Sequence, residues 1–246
     1  RVDACTMRQA VAAMLERARA GGPPAYVVTP NAHHLVLLED SAPFRGVYRG
    51  AWLVLADGMP LLWAARLLGT PLPEKVSGSD LFVEVCGAAA GTGLRVFLLG
   101  GRPGAAEGAA RELERRFPGL RLAGAHCPPF GFERDPAALE QVERAIRDAA
   151  PHLLFVGLGA PKQELWIQAN AARLGVPVAA GVGVSFEFVA GMVRRAPRWM
   201  QRAGLEWFYR LLREPRRLWR RYASTNPRFV ALVLRQRRGA GGGTGE

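Results

Sequence analysis

Lysine is nearly missing from this 246-residue chain: two of its 33 basic side chains are lysine and the other 31 are arginine. Cysteine is equally scarce. Cys5, Cys86 and Cys127 are odd in number and far apart, which argues against a disulfide framework and suits a reducing cytoplasm. No run of ~18 uncharged apolar residues occurs, so no membrane-spanning helix is expected; the longest candidate, 176–186, is Gly-rich and stops at Glu187. The first residues show no basic-then-apolar pattern, so no signal peptide is expected in this stretch. His-Glu-x-x-His, Cys-x-x-Cys and Asp-x-Asp are all absent, and the adjacent His33 and His34 point ~100° apart on a helix, so no metal site is expected. The dinucleotide fingerprint and the phosphate-loop motif are missing too, which weakens a nicotinamide-dependent oxidoreductase reading. There are no internal repeats. A composition of 49% hydrophobic and 22% charged residues excludes wholesale disorder.

What is present is a lopsided charge. Residues 1–190 carry 19 basic and 18 acidic side chains, whereas 191–238 carry 14 arginines and two glutamates, so nearly all of the net +12 sits on one C-terminal segment. Such a segment attracts phosphates, whether of nucleic acid, anionic lipid or a diphosphate ligand; it also fits a solvated helix face in an Arg-rich sequence.

The first 190 residues alternate helical and strand patterns. Strands are expected at 25–29, 51–57, 94–100, 120–126, 152–159 and 177–183, and helices at about 7–20, 31–40, from 41–43 to 50, 59–68, 79–90, 136–150 and after each Gly-rich turn. The strands are continuous apolar runs, the pattern of a sheet covered on both faces, so an open, mostly parallel α/β sheet is expected. Ligands bind such sheets beyond the carboxyl ends of the strands. From 191 the spacing becomes helical throughout. Leu205, Phe208, Leu212, Trp219 and Tyr222 form an apolar stripe edged by arginine, and Pro215 reads as the start of a new helix. FVALVLRQRR reads as a short apolar turn with further charge, and 239–246 as a flexible tail. The expected organisation is thus a catalytic body at 1–190, a basic helical appendage at 191–238 and the tail.

Candidate site residues cluster at strand ends. Thr29 and Asn31 are short polar groups, with Asn31 either capping the next helix or meeting a ligand. Asp57, followed by Gly58, is placed to act as a general base or bind a sugar hydroxyl, or to make a simple turn. Gly100 and Gly101 fit a diphosphate site at a helix N-terminus or a tight turn. Lys162 is a candidate phosphate contact and Gln163 a reader of hydroxyls or an amide, or both belong to a solvated first turn. Glu187 lies in apolar surroundings and needs a partner, for which an arginine of the C-terminal segment is the candidate.

An ordered set of motifs covers roughly residues 5–235: T-P-N (29–31), A-D-G (56–58), G-S-D-L (78–81), L-G-G-x-P-G (99–104), F-G-F (130–132), V-G-L-G-x-P-K-Q-E-x-W (156–166), G-V-G-x-x-F (181–186), R-A-P-x-W-M (195–200) and G-L-E-W-x-Y-R-L-x-x-E-P-x-R-x-x-R-x-Y (204–222). In this order they resemble the WecG/TagA/CpsF glycosyltransferase family. The resemblance implies a Rossmann-like fold and inverting transfer of N-acetylmannosamine, its uronic acid or a related hexose. The implied donor is a UDP-sugar and the implied acceptor an undecaprenyl-diphosphate-linked sugar at the cytoplasmic face of the membrane. It matches Asp57 to the proposed base and Thr29, Asn31 and Gln163 to polar residues of the pocket. It matches Arg210, Arg217 and Arg220 to the C-terminal arginines proposed to close over the site and hold the diphosphate.

Read together, body and appendage divide the chemistry: the sheet edge has a carboxylate but no cation cluster, and the C-terminal segment has the cations. The expectation is a metal-independent enzyme, peripheral to an anionic membrane through Trp199, Trp207, Phe208 and Trp219, with a homo-oligomer among its possible states. The competing class is a nucleic-acid-binding protein with a basic, aromatic-interleaved C-terminal arm, a reading that leaves the Gly-rich strand ends of the neutral body unexplained.

Overall fold

The computed structural model describes residues 2–241, with the side chains of Arg217 and Ala240 outside the description. The first helix, α1 (Met7–Ala20), starts at a capping box in which Thr6 Oγ1 accepts from the Gln9 N–H and Gln9 Oε1 accepts from the Thr6 N–H. After it come β1 (Ala25–Val28), α2 (Ala32–Asp40), α3 (Ala42–Gly50), β2 (Leu53–Val54), α4 (Met59–Leu67) and α5 (Gly78–Ala89). The chain continues through β3 (Arg95–Gly100), α6 (Ala105–Arg116), β4 (Arg121–His126), a 3-10 turn at Phe132–Arg134, α7 (Pro136–Ala149), β5 (Leu153–Gly157), α8 (Lys162–Leu174) and β6 (Val178–Gly181). Four helices close it: α9 (Ser185–Val189), α10 (Arg198–Arg202), α11 (Glu206–Arg213) and α12 (Pro215–Gly241).

The six strands form one sheet in the order β2-β1-β6-β5-β3-β4, every neighbouring pair parallel. This is the open Rossmann-like α/β architecture expected from the apolar runs. Alternate side chains of each strand feed opposite layers. Val96, Leu98, Leu153 and Phe155 face α1, α5 and α6, while Phe97, Leu99, Leu154 and Val156 face α7 and α8. Because all strands run one way, their carboxyl ends share one edge, and the loops after β1, β2, β5 and β6 meet there.

Some boundaries differ from expectation. The 51–57 strand is regular only at Leu53–Val54. It lies at the sheet edge, although Leu55 N–H donates to Val28 O and Asp57 N–H to Pro30 O, which keeps the segment alongside β1. Helix α5 begins one residue before Ser79, capped by Ser77. The segment read as a turn at 229–238 lies inside α12, which passes Pro227 unbroken and continues to Gly241, three residues into the expected tail. A proline in a helix interior costs ~3 kcal/mol. Here the flanking turns pack on the body: Leu218, Thr225 and Phe229 are buried, Phe229 against Val36, Ala56, Leu61 and Leu62. Residues 242–246 lie outside the described residues.

Candidate active site

A cleft of about 770 Å³ opens at the carboxyl edge. Its floor is built from strand ends and helix starts: Thr29 and Asn31 after β1, Asp57 and Gly58 after β2, Ser77–Ser79 at α5, Gly159, Ala160 and Gln163 at α8, and Gly181–Val184 after β6. Several helix N-termini therefore converge there, and the positive ends of their dipoles favour anions. The wall comes from the C-terminal segment, with Arg195, Glu206, Arg210, Arg221, Tyr222 and Thr225.

Asp57 sits at the head of α4. Burial pushes its carboxyl up to about 7, and the nearby Glu206 charge adds to this; Lys75, the Gly78 N–H and Arg195 pull the other way. Lys75 Nζ lies 3.9 Å from Glu206 Oε2. Arg195 Nε donates to Glu206 Oε1 at 3.1 Å, and its two terminal nitrogens reach both carboxylate oxygens of Asp80. Burial alone would lower Arg195, but Asp80 and Glu206 hold it above its ordinary range. The cations nearest the base are thus largely occupied by carboxylates, which leaves Asp57 a stronger proton acceptor than an ordinary aspartate.

Asn31 caps α2 from within the cleft lining. Its Oδ1 accepts from the His33 and His34 N–H groups. Burial and the Arg221 charge lower His33 to about 4 and His34 to about 3, so both rings are neutral near pH 7. His33 Nδ1 meets Thr225 Oγ1 at 3.1 Å, a direct tie between α2 and α12. Beneath, His34 Nδ1 lies 2.7 Å from the Tyr48 hydroxyl.

Gln163 is a clamp between loops. Its Oε1 accepts from Gly159 N–H at 3.1 Å and Gly183 N–H at 3.0 Å, and its Nε2 donates to Glu164 Oε1 at 2.7 Å. One amide thereby fixes the β5 and β6 loops to each other. Gly181 makes room for it, since a Cβ there would lie 2.7 Å from Gln163 Nε2.

Other candidates sit elsewhere. Lys162 pairs with Glu133 at 2.8 Å and lies over the Phe130 and Phe132 rings, away from the cleft lining. Gly100 and Gly101 serve the tight β3–α6 turn: both have φ near +90°, and a Cβ on Gly100 would lie 3.1 Å from Gly157 O. Neither lines the cleft. Glu187 takes the Arg102 backbone N–H at 3.1 Å as its partner, in place of a C-terminal arginine. Among the three expected arginines, Arg210 lines the cleft, Arg220 lies over the Trp219 ring outside it, and the side chain of Arg217 lies outside the described residues. Arg195 and Arg221 are the cleft arginines that sequence reasoning did not single out. The signal for Arg195 was its place in R-A-P-x-W-M; for Lys75, its being one of two lysines, just before G-S-D-L. Among the described residues, no three His, Cys, Asp or Glu side chains gather as a metal-binding set.

Comparison with known proteins places this geometry. A family model described as "Glycosyl transferase WecG/TagA/CpsF family" matches residues 1–242. An N-acetylglucosaminyldiphosphoundecaprenol N-acetyl-beta-D-mannosaminyltransferase of Bacillus spizizenii is 33% identical over 214 residues, covering 87% of this chain and 80% of that protein. The Bacillus subtilis protein of that name is 34% identical over 183 residues, 74% of this chain and 68% of its own. The Staphylococcus aureus protein is 30% identical over 213 residues, 87% and 81%. With a parallel-sheet cleft holding a carboxyl group and a matching family model over nearly its whole length, the chain belongs to the WecG/TagA/CpsF family and is a glycosyltransferase.

Proposed function

We propose that the enzyme transfers N-acetylmannosamine, its uronic acid or a related hexose from a UDP donor to a polyprenyl-diphosphate-linked sugar, with inversion. The observation that carries this reading is Asp57, a carboxyl raised to about 7 and set in the cleft between anion-favouring helix N-termini and the arginines of the C-terminal segment. The printed names of the relatives supply the acceptor class and the mannosaminyl group. In this reaction the Asp57 carboxylate takes the proton of the acceptor hydroxyl while that oxygen forms its bond to the anomeric carbon. The bond from the anomeric carbon to the UDP oxygen breaks on the opposite face, and UDP leaves with the electron pair. Arg210 and Arg221, with the helix N-termini, meet the charge that develops on the diphosphate, the task a metal ion would otherwise perform.

The proposed location is the inner face of the cell membrane, held peripherally. No helix among the described residues is long and apolar enough to cross a membrane. Trp199, Phe208, Leu212 and Trp219 are exposed on the Arg-rich segment, the combination that seats a surface in the lipid headgroup region. A panel of UDP-sugars incubated with short-chain prenyl-diphosphate-GlcNAc or -glucose, with products read by mass, tests the proposal. It expects one UDP-sugar to yield a disaccharide lipid; salt-dependent retention on nucleic acid with no transfer would contradict it.

A further inference from the structure

The cleft changes character along its length, and two helices carry the change together. On α12 the cleft-lining residues follow a fourfold spacing: Arg221 and Thr225 lead to Phe229 and Val233, and Tyr222 and Asn226 to Val230 and Leu234. The polar half meets His33 through Thr225. The apolar half begins one turn later. Facing it, α4 starts at Met59, two residues after Asp57, and lines the cleft with Pro60, Trp63, Ala64 and Leu67, one continuous helical face. An ordinary core would bury such residues. Here Trp63, Leu67, Val230 and Leu234 are 49%, 44%, 54% and 43% exposed, although all four line the same cavity as the base.

We propose that this apolar arm, between α4 and the outer half of α12, is a track for the first isoprene units of the acceptor's prenyl chain. The inference rests on the acceptor class proposed above. The match is one of composition. A lipid-linked sugar is polar at one end and hydrocarbon at the other, with a diphosphate between. The cleft holds a carboxyl base, Arg210 and Arg221, and, further along α12 from Arg221, paired apolar helix faces. Residues 229–234 span about 8 Å of helix axis, so the track takes the beginning of the chain and leaves the remainder to the bilayer.

The test is transfer by the full-length protein, without vesicles or micelles, to GlcNAc-diphosphate acceptors carrying one or three isoprene units. The acceptor KM is expected to fall about tenfold or more from one unit to three. In Val230→Ser/Leu234→Ser that ratio is expected to shrink to within about twofold, and Leu67→Ser on the facing helix is expected to shrink it in the same direction. A wild-type KM independent of chain length, or a length dependence retained in both variants, overturns the track while leaving the proposed function standing. A length dependence that arises only when vesicles are added also overturns it, since the bilayer and not the groove then reads the chain. No transfer to any acceptor overturns the proposed function and this inference with it.

Discussion

Arg195 grips Asp80 with both terminal guanidinium nitrogens, and so ties the C-terminal segment to the start of α5 at the rim of the cleft. Its remaining N–H reaches Glu206, so one arginine sets the position of both the α5 cap and the head of α11. Arg195→Ala is expected to destabilise the protein by about 1–3 kcal/mol, below the value for a fully buried pair because Asp80 retains more than a third of its exposure. Asp80 is held below the usual aspartate value by Arg195 and Ser77 in spite of its burial. The pair's contribution is therefore present above pH ~4 and lost as pH falls through the depressed value. Thermal melts of wild type and variant should converge in acid and separate at neutral pH.

Asp57 has the opposite sign. Its carboxyl is raised from 3.8 to about 7 in the folded protein, so the folded state binds its proton more tightly than the unfolded chain does. Stability is lost as pH rises between these values, and the full cost is present above about 7. Asp57→Asn should therefore melt higher than wild type at pH 8, by the equivalent of about 2–4 kcal/mol, and match it near pH 4. The same variant should abolish transfer while UDP still binds. Retained transfer would remove Asp57 as the base.

Glu206 adds to the burial that raises that base. Glu206 itself raises the Asp57 value, and it also pairs with Lys75 and Arg195, the two cations that lower it. In Glu206→Gln both effects act in one direction. The acid limb of the rate profile, expected near pH 7 in wild type, should move to lower pH, with a smaller maximal rate from the weaker base. An unmoved limb would mean that another group titrates there.

Gln163 joins two loops with one oxygen. Gln163→Ala should leave the N–H groups of Gly159 and Gly183 without their acceptor, costing about 1–3 kcal/mol and loosening both loops. Gln163→Glu keeps an acceptor for both but sets a carboxylate against Glu164, so it should bind UDP more weakly than wild type. Hydrogen exchange at 157–160 and 181–184 reads the loosening directly.

The sheet was legible because its evidence is local. The apolar run of β5 does not alternate with polar residues: Leu153, Leu154, Phe155 and Val156 are all buried, since helices cover both faces. The strand ends that carry Thr29, Asn31 and Asp57 followed from that. Partner choice was not legible. Lys162 and Gln163 are neighbours in sequence, yet Lys162 turns to Glu133 and Gln163 into the cleft, a split fixed by the 3-10 turn at Phe132–Arg134. Nor can spacing distinguish one arginine among 14 in the C-terminal segment. Arg195 and Arg221 reach the cleft because of how α10, α11 and α12 fold back, and the passage of α12 through Pro227 depends on burial of Phe229 that local propensity does not contain.

The division between a body that supplies the base and a C-terminal segment that supplies the positive charge is tested most directly by UDP binding calorimetry. The proteins to compare are wild type, Asp57→Asn and Arg210→Ala/Arg221→Ala. The account predicts near-wild-type affinity for Asp57→Asn and a loss of about tenfold to a hundredfold for the double arginine variant, with transfer lost in both. UDP bound by the double arginine variant as tightly as by wild type would contradict it.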